Sequence, residues 1–493
     1  MRRWMGISTS ISFSNVQLHL HHQKNCALPR RYHSAQALFP RSATTTAKML
    51  IAILALLFLS LAYGVHHIIS HQTGLLHQIF TQNIFTTLQL ARLIGPPNPN
   101  DLVTLPDTIP DSISTSKIST AQALATQRIN HARSIIDFSY AGPKLELEDR
   151  LRLRALANSR LVVAFGIDTS LTSSSVSVHK EFHKLANASI SKSNADWQKL
   201  YEVSMNFLQR EKIGRNSVHL AECVRCLCFV VVLVSQFEAD LMKLDGSIVK
   251  QVTDEINTQW LKSKVNDGTL KRSEKLKRYL YTLFEDPEKS VVTGAAISST
   301  QALGLIIPQY ETLWRVVLLT YITAYHRQSD RRSLKKRVRD VPACLGNAAI
   351  EKEALKLAKE GLRLYPSNNS IYRALPGTGP PISADVQACH RYFDVWGPDA
   401  LEFRPERFDN LTPLQEKAYF PFSLGSHKCP ASRGFGNRIV TMLVVSMGRA
   451  LSPETGKLNF RDAQLDDEVG TPLPTGRDEM ENWSWDLVLV QRS

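Results

Sequence analysis

Apolar positions are distributed unevenly along the 493 residues. Residues 1–48 have no firm apolar period. From Met49 the text changes to MLIAILALLFLSLAYGV and stays largely apolar through to Ile69. A run of about 20 such residues can cross a bilayer as a helix, so 49–69 reads as a membrane anchor, with a buried core helix as the alternative. A Pro/Gly-rich run at 95–99, inside the segment 92–110, predicts a stiff, extended connector. Segment 221–234, AECVRCLCFVVVLV, is apolar at nearly every position and too short to span a membrane, which predicts a buried helix. A longer apolar helical pattern covers 290–327, and Pro308 inside it predicts a kink. A further helix is expected within 353–373, with Glu360 and Arg363 three apart on one face, where they can pair. Phe435, Ile439, Leu443 and Met447 recur at four-residue steps, the stripe of a helix packed on a core. The stretch WSWDLVLVQ at 483–491 predicts a terminal strand pair. The chain is therefore mainly α with a minor β component.

Charge alters this picture mostly at the N-terminal end. Residues 1–100 hold eight Lys or Arg and no Asp or Glu, leaving +6 of the net +14 for the other 393 residues. A basic leader rather than a basic binding face explains the excess, so no nucleic-acid partner is expected. Residues 1–48, rich in Arg, Ser and His, have transit-peptide composition, or they precede a working start at Met49. Seven Lys or Arg before the anchor would put the N-terminus in the cytoplasm and the body outside; a start at Met49, or a mitochondrial address, resolves that. With 43% hydrophobic residues the remainder can bury a sizeable core. The seven cysteines form no regular disulfide framework, which suggests a reducing compartment. Cys223 and Cys226 make a C-x-x-C pair with no second pair at ligand spacing, so core packing is expected ahead of a zinc or redox role. The basic run at 328–340 fits an exposed helix face or a localisation signal.

The stretch FSLGSHKCPASRGFGNRI, 422–439, carries the candidate chemistry. Pro430 follows Cys429 at once, and proline favours the first helical position, so Cys429 is expected at a helix N-cap. Unsatisfied N–H groups and the helix dipole there would bias the thiol toward thiolate. A buried structural cysteine is the alternative. Phe422, Gly425, His427 and Cys429 match F-x-x-G-x-[RH]-x-C, which resembles the heme-binding loop of the cytochrome P450 superfamily, the heme-thiolate monooxygenases. The residue two places after the cysteine is Ala431 rather than the commoner glycine. Three further stretches resemble that family, in the family's order. Glu311 and Thr312 resemble the acid–alcohol pair of its long central helix, although Pro308 and Gln309 stand where alanine and glycine are usual and Leu313 replaces a hydroxyl residue. Glu360 and Arg363 resemble its E-x-x-R helix. HRYFDVWGPDALEFRPERF, 390–408, resembles the segment that brings Arg407 to that pair. The fragment HKEFHK, 179–184, weakly resembles the basic helix over a heme propionate, and also fits a solvated face.

The resemblance implies a single large heme domain over 111–493, following the leader 1–48, the transmembrane anchor 49–69 and a linker 70–110 with its Pro-rich hinge. It implies heme b, with Cys429 as axial iron ligand, Gly425 letting the backbone approach the macrocycle and His427 donating to a propionate. Glu311 and Thr312 would deliver protons to iron-bound dioxygen. Glu360, Arg363 and Arg407 would form a buried charge triad that fixes the cysteine loop. Lys428, Arg433 and Arg438 would give the proximal face a basic patch. The implied activity inserts one oxygen atom from dioxygen into an apolar organic substrate, with electrons from NADPH through a flavoprotein reductase. The implied place is the endoplasmic reticulum membrane with the catalytic body in the cytosol, a mitochondrion being the alternative. Two rival functions stay open: a heme-binding relative with lost or altered oxygen activation, and a membrane-tethered helical interaction protein without heme.

Overall fold

The computed structural model describes residues 113–142, 145–265, 268–292, 297–327, 348–377, 380–462, 464–465 and 471–488. The expected leader, anchor and linker, and the basic run at 328–340, lie outside the described residues. In chain order the helices are α1 (Ile113–Asp137), α2 (Leu147–Ala157), α3 (Ser159–Phe165), α4 (Val176–Ile190), α5 (Asn194–Lys212), α6 (Leu220–Phe237), α7 (Gly246–Lys262), α8 (Glu274–Phe284) and α9 (Ser299–Tyr325). After α9 come α10 (Ala348–Leu364), α11 (Val386–Arg391), α12 (Pro413–Ala418) and α13 (Phe435–Ala450), with shorter turns of helix between. The strands are β1 (Ser217–His219), β2 (Ser370–Arg373), β3 (Ile382–Asp385), β4 (Gly456–Asn459) and β5 (Ser484–Leu487). The architecture is mainly helical with a small sheet component, as the hydrophobic pattern predicts.

Helix α9 is the axis of the larger core. It packs against α6, α10 and α13, while α5 packs against both α6 and α13. Both α6 and α9 are long and apolar enough to cross a membrane, yet 89% and 72% of their apolar windows are buried inside the protein. An apolar surface on all sides suits a helix surrounded by other helices, and that is how these two are used. Cys223, Cys226 and Cys228 are buried in α6, and among the described residues no group of three or more His, Cys, Asp or Glu is arranged to hold a metal ion. Burial pushes the Cys226 thiol up to about 11, the behaviour of a small core residue rather than a redox thiol. Helix α9 runs unbroken through Pro308, with the Thr312 hydroxyl donating to the Pro308 carbonyl at 2.8 Å.

A smaller core gathers α1, the antiparallel β2–β3 pair and the 386–420 region around Ile129, Ile136, Trp396 and Phe420. The C-terminal stretch forms a three-stranded sheet of order β1-β5-β4, antiparallel throughout, with Trp485 opposite both Val218 and Leu458. The expected C-terminal strand pair is thus one central strand, β5, flanked by two distant ones.

Candidate functional site

The loop before α13 is closed by the Cys429 N–H donating to the Phe422 carbonyl at 2.8 Å. Ser423 and Gly425 both sit at φ +63°, a left-handed conformation that glycine adopts without strain, and it lets the loop double back over three residues of 3-10 helix. Phe422 lies against Gly436 so closely that a Cβ there would meet its ring at 2.5 Å, so the bare backbone of α13 is the seat of that phenyl group. Cys429 is the N-cap of a 3-10 turn, Pro430–Arg433, with Pro430 at its first position, as expected from the sequence.

Accessible surface and local crowding pull apart at this sulfur. Cys429 is solvent-exposed, yet enough protein surrounds it that desolvation raises its pKa, against the Ala431 N–H and the Arg154 charge, which lower it. The expected bias toward thiolate therefore does not arise in the protein alone. The two favourable groups are present, but one short turn and one distant cation do not outweigh the crowding. Exposure governs whether a ligand can reach the sulfur; crowding governs its charge.

Around the loop lies a concentration of positive charge, with Asp137 as the acid that lines the adjoining pocket. His427 is buried, its Nδ1 lies 3.4 Å from Arg154, and its Nε2 has no hydrogen-bond partner. Its ring meets those of Phe138 and His179 edge-on. Burial first, then Arg154, Arg373, His179 and Arg150, hold its pKa down at about 3, so it is a neutral imidazole. Arg154 reaches Ser170 at 3.1 Å, Arg150 reaches Ser426 at 3.3 Å, and Arg373 lies over the Phe138 ring at 4.6 Å. Burial depresses Arg154 to about 10 and Arg373 to about 9. Among the described residues none of these three arginines has a carboxylate partner, and Nε of both Arg150 and Arg373 is unsatisfied. Asp137, Phe138, Arg150, Gly425 and Ser426 line a pocket beside the loop, where the Asp137 carboxylate already accepts from the Ser139 N–H.

A buried Arg373, two half-buried arginines and an orphaned imidazole nitrogen call for anions. Heme b carries two carboxylates on one edge of a flat ring, and its iron takes a cysteine sulfur. The residues present fit that group: an exposed thiol for the metal, and for the carboxylates a set of donors that form no ion pair among the described residues. Arg154 and Arg373 were not singled out in the sequence. The HKEFHK fragment carried the signal for His179, which points inward from α4 onto the loop rather than into solvent.

The structure brings together the three residues expected to brace the loop. Glu360 and Arg363 are wholly buried and joined by two hydrogen bonds of 2.7 and 2.8 Å. Arg363 also donates to the carbonyls of His390, Ala400 and Glu402. Arg407 comes within 3.6 Å of Glu360, but its firmer ties are to Asp399 and the Trp396 carbonyl. Glu360 accepts a third hydrogen bond, from the Arg404 N–H at 2.8 Å.

Glu311 and Thr312 are placed differently from the expectation. Glu311 is buried in an ion pair with Arg477, and among the described residues no hydrogen bond, ion pair or ring contact joins it to the cysteine loop. The Thr312 hydroxyl is turned back onto its own helix. A buried carboxylate beside a buried guanidinium is a scaffold arrangement, since the pair neutralises itself. The expected basic patch is also reduced: Arg438 pairs with Glu351, leaving Lys428 and Arg433 exposed.

Comparison with known proteins places these segments. A family model described as Cytochrome P450 matches residues 378–440, from the β2–β3 region through the cysteine loop into α13. The chain is 32% identical over 163 residues to the bifunctional cytochrome P450/NADPH–P450 reductase 1 of Bacillus subtilis, covering 29% of this chain and 15% of that protein. It is 45% identical over 86 residues to a benzoate 4-monooxygenase of Aspergillus niger, covering 14% of this chain and 17% of that protein. With a cytochrome P450 monooxygenase of Emericella nidulans the identity is 43% over 53 residues, covering 11% of this chain and 10% of that protein. The matched stretch is thus under a fifth of the length of each of these relatives. The family's model falls on the cysteine loop and its flanks, and several of its members match the same chain, which supports a place in the cytochrome P450 superfamily.

Proposed function

We propose that this chain is a heme-thiolate monooxygenase with Cys429 as the axial ligand, acting on a lipophilic organic substrate. One observation carries the reading: an exposed cysteine on a closed loop beside an imidazole and three arginines that, among the described residues, form no ion pair with a carboxylate. When bound, heme b supplies the activation of dioxygen, with the thiolate pushing electron density onto iron. The protein's own residues hold and orient. Arg150, Arg154, Arg373 and His427 would receive the propionates, His427 as donor through Nε2. Phe422 and Gly425 shape the loop, and Glu360, Arg363 and Arg407 fix its approach. The matched relative fused to an NADPH–P450 reductase supports a flavoprotein reductase as electron source, with Lys428 and Arg433 as the cations available for docking. A membrane anchor at 49–69, and with it a microsomal or mitochondrial address, belongs to the same proposal.

A second reading, a heme-binding relative with altered oxygen activation, is favoured by the Glu311–Arg477 ion pair, which removes the acid expected to relay protons. Purified protein supplied with hemin, reduced and exposed to carbon monoxide, separates these cases. The first two readings expect the red-shifted Soret band of thiolate ligation, and Cys429→Ala should abolish it. Turnover of a lipophilic substrate panel with NADPH and reductase is expected only of the monooxygenase. A folded sample that takes up no hemin overturns both.

A further inference from the structure

We propose that His390 is a positioning residue that couples the buried Glu360–Arg363 pair to the cysteine loop by accepting the Phe420 amide hydrogen at Nε2. What the coupling achieves rests on Cys429 being the iron ligand; the hydrogen bond itself does not. His390 is wholly buried in α11, and its Nε2 lies 3.1 Å from the Phe420 nitrogen. A backbone N–H can only donate, so this ring nitrogen carries no proton. The proton of the neutral ring is then on Nδ1, which makes no hydrogen bond, although the carbonyls of Leu362 and Arg363 act on the ring. These belong to the last turn of α10, where helix carbonyls lack partners along the helix. The rings of Tyr419 and Phe420, each 5.4 Å away, keep water from the bond.

The backbone of the same residue completes the link. Its carbonyl accepts from Arg363 at 2.9 Å, and Arg363 is bound through two nitrogens to Glu360. From Phe420 the chain runs two residues to Phe422, whose carbonyl accepts the Cys429 N–H. A continuous path therefore leads from the Glu360 carboxylate through Arg363, His390 and Phe420 to the ligand cysteine. Leucine at 390 would leave the Phe420 N–H buried and unpaired, and the chain would be freed two residues before the loop begins. Glutamine places a carbonyl oxygen near the position of Nε2.

The test compares His390→Leu and His390→Gln with the native chain by hydrogen exchange in the heme-free protein and by the carbon monoxide spectrum after hemin loading. In His390→Leu the Phe420 amide is expected to exchange at least about tenfold faster, the factor that one ordinary hydrogen bond confers. Amides of α9 should be unaffected, and the share of the carbon monoxide complex absorbing at the thiolate position should fall. His390→Gln should restore both. Unchanged Phe420 exchange in the leucine variant, or no recovery with glutamine, overturns the proposal. If His390→Leu does not fold, His390→Gln decides alone: retained Phe420 protection supports the coupling and lost protection overturns it. Absence of the red-shifted band in the native protein would sink the heme-thiolate reading, while the exchange measurement would still decide the hydrogen bond.

Discussion

At single residues the strongest consequences come from charges removed from water. Glu360 and Arg363 are both fully buried, so removing one partner strands the other. Glu360→Gln is expected to lower the unfolding free energy by about 3–5 kcal/mol, the cost of an uncompensated buried charge. Urea unfolding of the heme-free protein measures it, and a loss below about 1 kcal/mol would show that Arg363 is satisfied by its three carbonyls alone. Histidine adds a pH dependence of definite sign. Burial, and then the Arg363 charge, hold His390 at about 3, below the roughly 6.5 of an unfolded chain. Between those values the unfolded state binds a proton that the folded state refuses, so stability rises with pH across this window and is lost as acid is added below about 6.5. At pH 5 the loss from this one group is roughly 2 kcal/mol. The shift in urea midpoint between pH 7 and pH 5 should therefore be smaller in His390→Gln than in the native chain, and an equal shift would mean that the imidazole is protonated when folded.

Among elements, the contact between the cysteine loop and α13 is set by one missing side chain. A Cβ on Gly436 would stand 2.5 Å from the Phe422 ring, closer than nonbonded carbon atoms approach. Gly436→Ala is expected to displace Phe422, weaken hemin uptake by about tenfold or more, and cost about 1–3 kcal/mol through overpacking. Hemin titration followed at the Soret band checks the first effect, and combining it with Phe422→Leu should recover part of the loss. Phe422 was legible in the sequence and Gly436 was not, since the first belongs to a local pattern and the second matters only through what rests on it. The same division runs through the site. Cys429 and its loop, and the Glu360–Arg363 pair three residues apart, are short-range features that spacing reveals. Arg154 meets His427 across 273 residues of chain, and Arg477 meets Glu311 across 166. No periodicity encodes such pairings. The proton-relay expectation for Glu311 comes from the resemblance of a two-residue Glu-Thr pair to a family segment, whereas its folded environment includes an arginine far downstream. The helical core was legible because α6 and α9 are apolar over most of their length, a property that is local even though its reason is the surrounding bundle.

On the scale of the whole molecule, that downstream arginine belongs to a stack that ties five separate parts of the chain. Arg225 of α6 lies over Trp314 of α9 at 5.7 Å, Arg477 lies over Trp314 and over Trp260 of α7 at 5.2 Å each, and Arg160 of α3 lies over Trp260 at 4.8 Å. Guanidinium planes on indole faces gain more when water is excluded, and Arg477 and Trp314 are both buried. Carboxylates meet only part of this charge: Asp254 and Glu481 serve Arg225, and Glu311 serves Arg477, which also donates to Asn257 at 2.7 Å. Glu311→Gln should therefore act on the whole fold, lowering the unfolding free energy by about 3–5 kcal/mol, because it leaves Arg477 charged and unanswered between two indoles. Replacing both partners, Glu311→Leu with Arg477→Leu, should cost less than the single change, since an apolar pair of similar volume removes both charges together. Guanidinium chloride unfolding of the single and double variants gives the comparison; a double variant no more stable than Glu311→Gln would show that the stack, rather than the ion pair, is what the fold needs. The double variant also separates scaffold from chemistry. If Glu311 serves only to neutralise Arg477, a folded double variant loaded with hemin keeps its thiolate spectrum and its turnover. If the carboxylate delivers protons, the spectrum survives and turnover does not.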